Sequence, residues 1–311
     1  MKKLVILAIT LSMISLANAA EANFMDKVKS TTKGRVEASA QIGALQGMAK
    51  EYVYDIDGSL LSRLDWKTKT TAILKGGVSF APFSWAKVGV RGWSTFYEGN
   101  AHMDDYDWIY TTGPAPDHES HHGNTDLKYA NEFDFYANFP FLNIKSFTFA
   151  PLIGYKQTRF SWAAYGGWGI YTGTFWQDPD DEPGISYSQK FKNPYTGLNI
   201  NYKKGQHLEV NGDLRYSKWV KASDQDKHHQ RSLHFKEYAT DMDYYGFNVN
   251  LGYKFNNGIK FFGEFNFDHY EHEIADTWVR DNSTGVTQTS QDSAGIKNKY
   301  YSLMLGLAYK F

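Results

Sequence analysis

The stretch Tyr301-Ser302-Leu303-Met304-Leu305-Gly306-Leu307-Ala308-Tyr309-Lys310-Phe311 sets Tyr301, Leu303, Leu305, Leu307, Tyr309 and Phe311 in one row of alternate positions. Successive side chains of a strand point to opposite faces, so a period of two over this length reads as a long strand with one apolar face. The same pattern recurs upstream. In His207–Trp219, Leu208, Val210, Leu214 and Tyr216 interleave with Glu209, Asn211, Asp213 and Arg215. Tyr245–Phe255 sets Phe247, Val249, Leu251, Tyr253 and Phe255 against Asn248, Asn250 and Lys254, and residues 259–270 set Phe261, Phe265 and Phe267 against Lys260, Glu264, Asn266 and Asp268. Tilted strands of about 9–11 residues cross a bilayer, and these are long enough.

The connections alternate as well. Short turns are expected at Ala81-Pro82, around Pro140, at Lys203-Lys204-Gly205 and at Asn256-Asn257-Gly258. Long polar or aromatic stretches lie near 54–63, 97–124, 163–188, 220–243 and 272–298. Four short turns and five long loops predict ten strands with both termini on the short-turn side, the pattern of an all-β, antiparallel transmembrane barrel with long outer loops. A periplasmic β-sandwich is the competing fold, but its strands should be shorter.

Composition agrees. Across 311 residues, aromatics reach 17 % while charged residues still make up 22 %, which argues against disorder. Past residue 20 no apolar run is long enough for a membrane helix. A formal net charge of −1 offers no general basic surface for nucleic acid. Lys2 and Lys3, the apolar run Leu4 to Leu16 and Ala17-Asn18-Ala19 read as a signal peptide over 1–19, leaving 20–311 as one barrel domain. The chain has no cysteine, so no disulfide stabilises it after export.

Chemistry is expected in the outer loops. In extended backbone Asp105 and Asp107 share a face, as do Asp226 and His228, with Asp224 continuing the second row. A carboxylate beside a histidine can orient it and raise its basicity toward water, and two close carboxylates can share a proton or hold a water molecule. By themselves such clusters also suit solvated surface or cation binding. His118, His121, His122, His229 and His234 are conceivable metal ligands, but there is no HExxH arrangement and no thiolate, so no metal centre is expected. No Gly-x-Ser-x-Gly elbow or phosphate-binding loop occurs.

Leu64-Asp65-Trp66-Lys67, Met103-Asp104-Asp105-Tyr106-Asp107-Trp108, Tyr129-Ala130-Asn131-Glu132-Phe133-Asp134 and Ala222-Ser223-Asp224-Gln225-Asp226-Lys227-His228 together resemble the signature blocks of the omptins. These are ten-stranded outer-membrane endopeptidases of Gram-negative bacteria, and the resemblance runs in consistent order from about residue 36 to Phe311. It implies an aspartate pair, Asp105 and Asp107, facing an Asp226–His228 pair, with His228 deprotonating a water and no covalent intermediate. It implies cleavage beside basic residues, with Glu51 and Asp224 lining the pocket for the residue before the cut, Met103 at its wall, and Ser62, Ile185 and Glu237 at further pocket positions. Ser120 matches a family serine, with His118 on its flank where an acid is common.

The resemblance also implies a need for lipopolysaccharide and no other cofactor. Tyr155 and Arg159 match positions that contact its phosphates, Gln157 replaces a Glu and Lys190 an Arg. The expected partners are basic peptides or proteins and outer-membrane lipid, with no nucleic acid and a monomeric barrel whose site faces outside. A non-enzymatic barrel, an adhesin or structural protein, would share the alternation and loops without these four catalytic side chains being needed.

Overall fold

A computed structural model describes residues 34–111 and 113–311; the expected signal peptide, with cleavage after Ala19, lies outside them. The strands are β1 (Val36–Tyr54), β2 (Leu60–Phe83), β3 (Ala86–Thr95), β4 (Gly99–Asp107), β5 (His118–Asn138), β6 (Leu142–Ile144), β7 (Phe147–Tyr171), β8 (Thr174–Lys204), β9 (Leu208–His228), β10 (Leu233–Lys254), β11 (Ile259–Asp281) and β12 (Thr287–Lys310). All pairings are antiparallel, and β12 returns to β1 with Glu37 opposite Lys310 and Val53 opposite Ala294. β3 and β4 both lie between β2 and β5, and act as one strand interrupted at 96–98. Gly99 restarts that strand where a Cβ would collide with Thr71. With β6 a three-residue fragment in a turn, the sheet is a closed ten-stranded barrel.

The barrel is apolar outside and polar inside. Leu303, Leu305 and Leu307 are 56–65 % exposed on its outer wall, while Met304 and Gly306 between them are buried. Lining the lower lumen, Arg91 donates to Asp134 at 2.8 Å and to Asp213 at 3.1 Å, and Lys156 reaches Asp268 at 2.5 Å and Glu132 at 3.0 Å. Charge held inside by paired partners leaves the outer wall free for lipid. Above this network Trp66 and Trp162 pack on Tyr187 at 5.3 and 5.9 Å, and Phe160 stacks on Trp162 at 5.4 Å. These buried rings form a floor across the lumen.

Two expectations are corrected. The first short turn is Ser84-Trp85, not Ala81-Pro82; Pro82 lies in the irregular end of β2, where the register against β3 slips between Phe80 and Phe83. The stretches expected as long loops are mostly strand. Their tips span only 55–59, 108–117, 172–173, 229–232 and 282–286 among the described residues. Strands of 19 to 31 residues far exceed what a bilayer requires, so the upper barrel stands in water.

Candidate active site

The outward face marks where the membrane ends. On β2 it carries Arg63, Asp65, Lys67 and Lys69, on β8 Lys190 and Lys192, and on β9 Lys221 and Lys227. All four candidate catalytic side chains sit at this upper level, above the apolar belt. They are on strands, not loops: Asp105 and Asp107 at the end of β4, Asp226 and His228 at the end of β9. The rigid ladder fixes their height. Asp105 pairs with Leu64 and Ser120, Asp107 with Ser62 and His118, Asp226 with Tyr187 and Phe235, and His228 with Ile185 and Leu233.

These four residues line one cleft of about 810 Å³, along with Glu51, Ser62, Ser120, Ile185 and Glu237. His228 Nε2 lies 2.5 Å from Asp226 Oδ2. That contact leaves Nδ1 as the remaining ring nitrogen, and the guanidinium of Arg231, at the exposed tip after β9, touches it. Across the cleft the Ser62 hydroxyl donates to Asp105 Oδ1 at 3.1 Å. Burial and the Asp107 carboxylate push Asp105 well above the usual carboxylate range, with the Ser62 hydrogen bond working against them. Asp107 is raised by burial, and Ser62 and His118 oppose that.

Beneath the Asp226–His228 pair lies a pocket of acids. Glu51, Asp224 and Glu237 are each about 2–3 % exposed. All three are raised, first by burial: the Asp226 charge adds to each, Glu237 and Asp224 raise Glu51 further, Asp224 raises Glu237, and a hydrogen bond with Glu237 works against the rise of Asp224. The Tyr187 hydroxyl donates to Asp224 Oδ2 at 2.8 Å and partly offsets the rise. Around this pocket four buried carboxylate oxygens have no hydrogen-bond partner: Glu51 Oε2, Asp224 Oδ1, Asp226 Oδ1 and Glu237 Oε2. Unpaired buried acceptors are costly, and a cation with several N–H donors would satisfy them together.

The other candidates fall as follows. Met103 is fully buried and, like Asp224, packs behind the cleft surface rather than on it. Ser120 Oγ lies 3.1 Å from His122 Nε2, and His122 Nδ1 meets the Gly166 carbonyl, so this serine pairs with a histidine other than His228. His118 is buried against Tyr171 at 4.3 Å with neither ring nitrogen hydrogen-bonded, Nδ1 lying 3.9 Å from Asp117 Oδ1. His229 is exposed and bonds Ser186 Oγ at 2.7 Å, and His234 packs edge-on to Trp278. On the outer wall Tyr155, Gln157 and Arg159 alternate along β7, and Arg159 pairs across the ladder with Lys190. The Gln157 carbonyl accepts from Arg159 at 2.9 Å. Sequence reasoning missed Tyr187 and Arg231. Only the β8–β9 register brings Tyr187 to the acids, whereas Arg231, three residues past His228, was detectable by proximity.

Fold and site define a class: an outer-membrane β-barrel with an acidic, histidine-containing cleft above the bilayer. The Omptin family model matches residues 32–311. The chain is 35 % identical over 319 residues to the plasminogen activator of Yersinia pestis, covering 100 % of both. It is 35 % identical over 286 residues to the outer membrane protease OmpP of Escherichia coli, covering 89 % of this chain and 90 % of that one. The crystal structure of the outer membrane protease OmpT from Escherichia coli superposes with a TM-score of 0.86 at 31 % identity, covering 89 % of this chain and 97 % of that one. The chain belongs to the omptin family, a protease family of the outer membrane.

Proposed function

We propose that this protein is an outer-membrane endopeptidase that cleaves peptide bonds beside basic residues, with its site facing outward. The observation that carries the reading is the set of unpartnered carboxylate oxygens on Glu51, Asp226 and Glu237 lining the cleft, with that of Asp224 buried just behind them. An arginine guanidinium fits such a set better than a lysine ammonium, because its fork of donors serves several acceptors at once. Ile185 and Leu64, which line the cleft, supply apolar wall for the side chain's stem, with Met103 buried behind them.

In this mechanism Asp226 fixes the imidazole of His228 through Nε2 and stabilises its charged form. Nδ1 then takes the proton of a water that attacks the scissile carbonyl, and returns it to the leaving amine as the carbon–nitrogen bond breaks. Arg231 is displaced from Nδ1 when a cationic substrate enters. Asp105 and Asp107, held toward protonation by burial, share a proton that hydrogen-bonds the carbonyl oxygen as it gains charge. No covalent intermediate is required. On the outer wall Arg159 and Lys190 would pair with phosphates of lipopolysaccharide beside Tyr155 and Gln157.

A fluorogenic Arg–Arg peptide assay on refolded protein, with and without lipopolysaccharide, tests the reading. Cleavage is expected only with the lipid present, and it should disappear in Asp105→Asn, Asp107→Asn, Asp226→Asn and His228→Ala. Undiminished cleavage by any of these four variants would overturn the mechanism.

A further inference from the structure

On the outer wall, above the lipid belt, a second constellation is independent of the cleft. His102 and Asp104 are two residues apart on β4 and so point to the same side, and the ladder places His121 of β5 directly opposite Asp104. His102 Nε2 lies 2.8 Å and His121 Nδ1 2.6 Å from the same oxygen, Asp104 Oδ1. Lys67 of β2, opposite His102 in the ladder, donates to the other oxygen, Oδ2, at 3.0 Å. Asp104 is only 3 % exposed although it lies on the outward face, because these three side chains and Trp168, whose ring packs 4.5 Å from His121, cover it.

We propose that His102, Asp104 and His121 form a binding site for a first-row divalent cation of the zinc class. The donor set of two imidazole nitrogens and one carboxylate suits zinc, copper, nickel or cobalt, whereas calcium and magnesium prefer all-oxygen ligands. The three donor atoms lie within 4.8 Å of one another. Two donors on one tetrahedral zinc are about 3.3 Å apart, so the two imidazole–carboxylate distances, 2.8 and 2.6 Å, lie within about an ångström of that spacing. Paired strands, not a loop, fix the spacing, which limits the cost of organising the ligands. Lys67 orients the carboxylate from outside, yet its charge opposes the cation. No ligand spacing within a single segment signals the site. This set is assembled across two strands.

The test is a titration of refolded, tag-free protein with cobalt(II) chloride, followed by visible absorption and then by displacement with zinc chloride. One equivalent should bind saturably and be displaced. His102→Asn and His121→Asn should each weaken binding by about tenfold or more, and Lys67→Met should tighten it. X-ray absorption at the cobalt edge on the unaltered protein should show two imidazole nitrogens, a readout that needs no variant to fold. Failure to saturate below about 1 mM, equal binding by both histidine variants, or an all-oxygen cobalt environment would each overturn the site.

Discussion

Replacing Glu51 by Gln and Asp224 by Asn together probes the acidic pocket from two directions. Both side chains are buried, both have an oxygen without a partner, and both are pushed up by burial and by neighbouring acids. Each charge-assisted hydrogen bond to a substrate cation is worth about 1.5–3 kcal/mol, so two amount to roughly 3–6 kcal/mol. The free pocket holds part of its charge as protons, which a cation must expel, and this brings the expected loss to about 3 kcal/mol. That corresponds to on the order of 100-fold in kcat/KM for an Arg–Arg peptide. Stability should move the opposite way. A carboxyl whose folded pKa is raised contributes most below its unfolded value, and the contribution is lost as pH rises through the folded pKa. The parent should therefore lose resistance to unfolding as pH rises from 4 toward neutrality and beyond, while the doubly neutral variant should lose less and unfold at a higher temperature near pH 7. The assays are peptide kinetics and thermal unfolding across that pH range. Cleavage within threefold of the parent, or a variant less stable than the parent at pH 7, would refute the reasoning.

Other outcomes follow from the same geometry. His228→Ala and Asp226→Asn should each abolish most activity, and the double variant should be little worse than either, because the two act as one unit; additive losses in kcat would contradict the pairing. His229→Ala, on an exposed ring bonded to Ser186, should keep most activity in the same assay. Removing the hydroxyl with Tyr187→Phe leaves Asp224 Oδ2 unpartnered, and should raise KM for basic peptides several-fold with a smaller change in kcat. An epitope inserted at Gly285 in the upper tip should be labelled on intact cells, and one in the Asn256-Asn257-Gly258 turn should not; labelling of the turn would reverse the topology.

The period of two in residues such as Leu303, Leu305 and Leu307, sustained over strands long enough to cross a bilayer, pointed to the barrel, because lipid outside and a polar lumen inside select that alternation over such a length. The same signal fades above the membrane, where both strand faces are polar. For that reason 97–124 and 220–243 read as loops although β4, β5, β9 and β10 run through them. Same-face spacing within a segment exposed Asp105 with Asp107 and Asp226 with His228, and the family blocks brought in Glu51 and Glu237. The resemblance implied one pocket for Glu51, Asp224 and Glu237, but sequence could not show that it is buried with unpartnered oxygens, that Tyr187 holds it, or that His121 meets His102 across Asp104. Those contacts depend on interstrand register and on closure of β12 onto β1, which bring residues far apart in the chain to within a few ångströms.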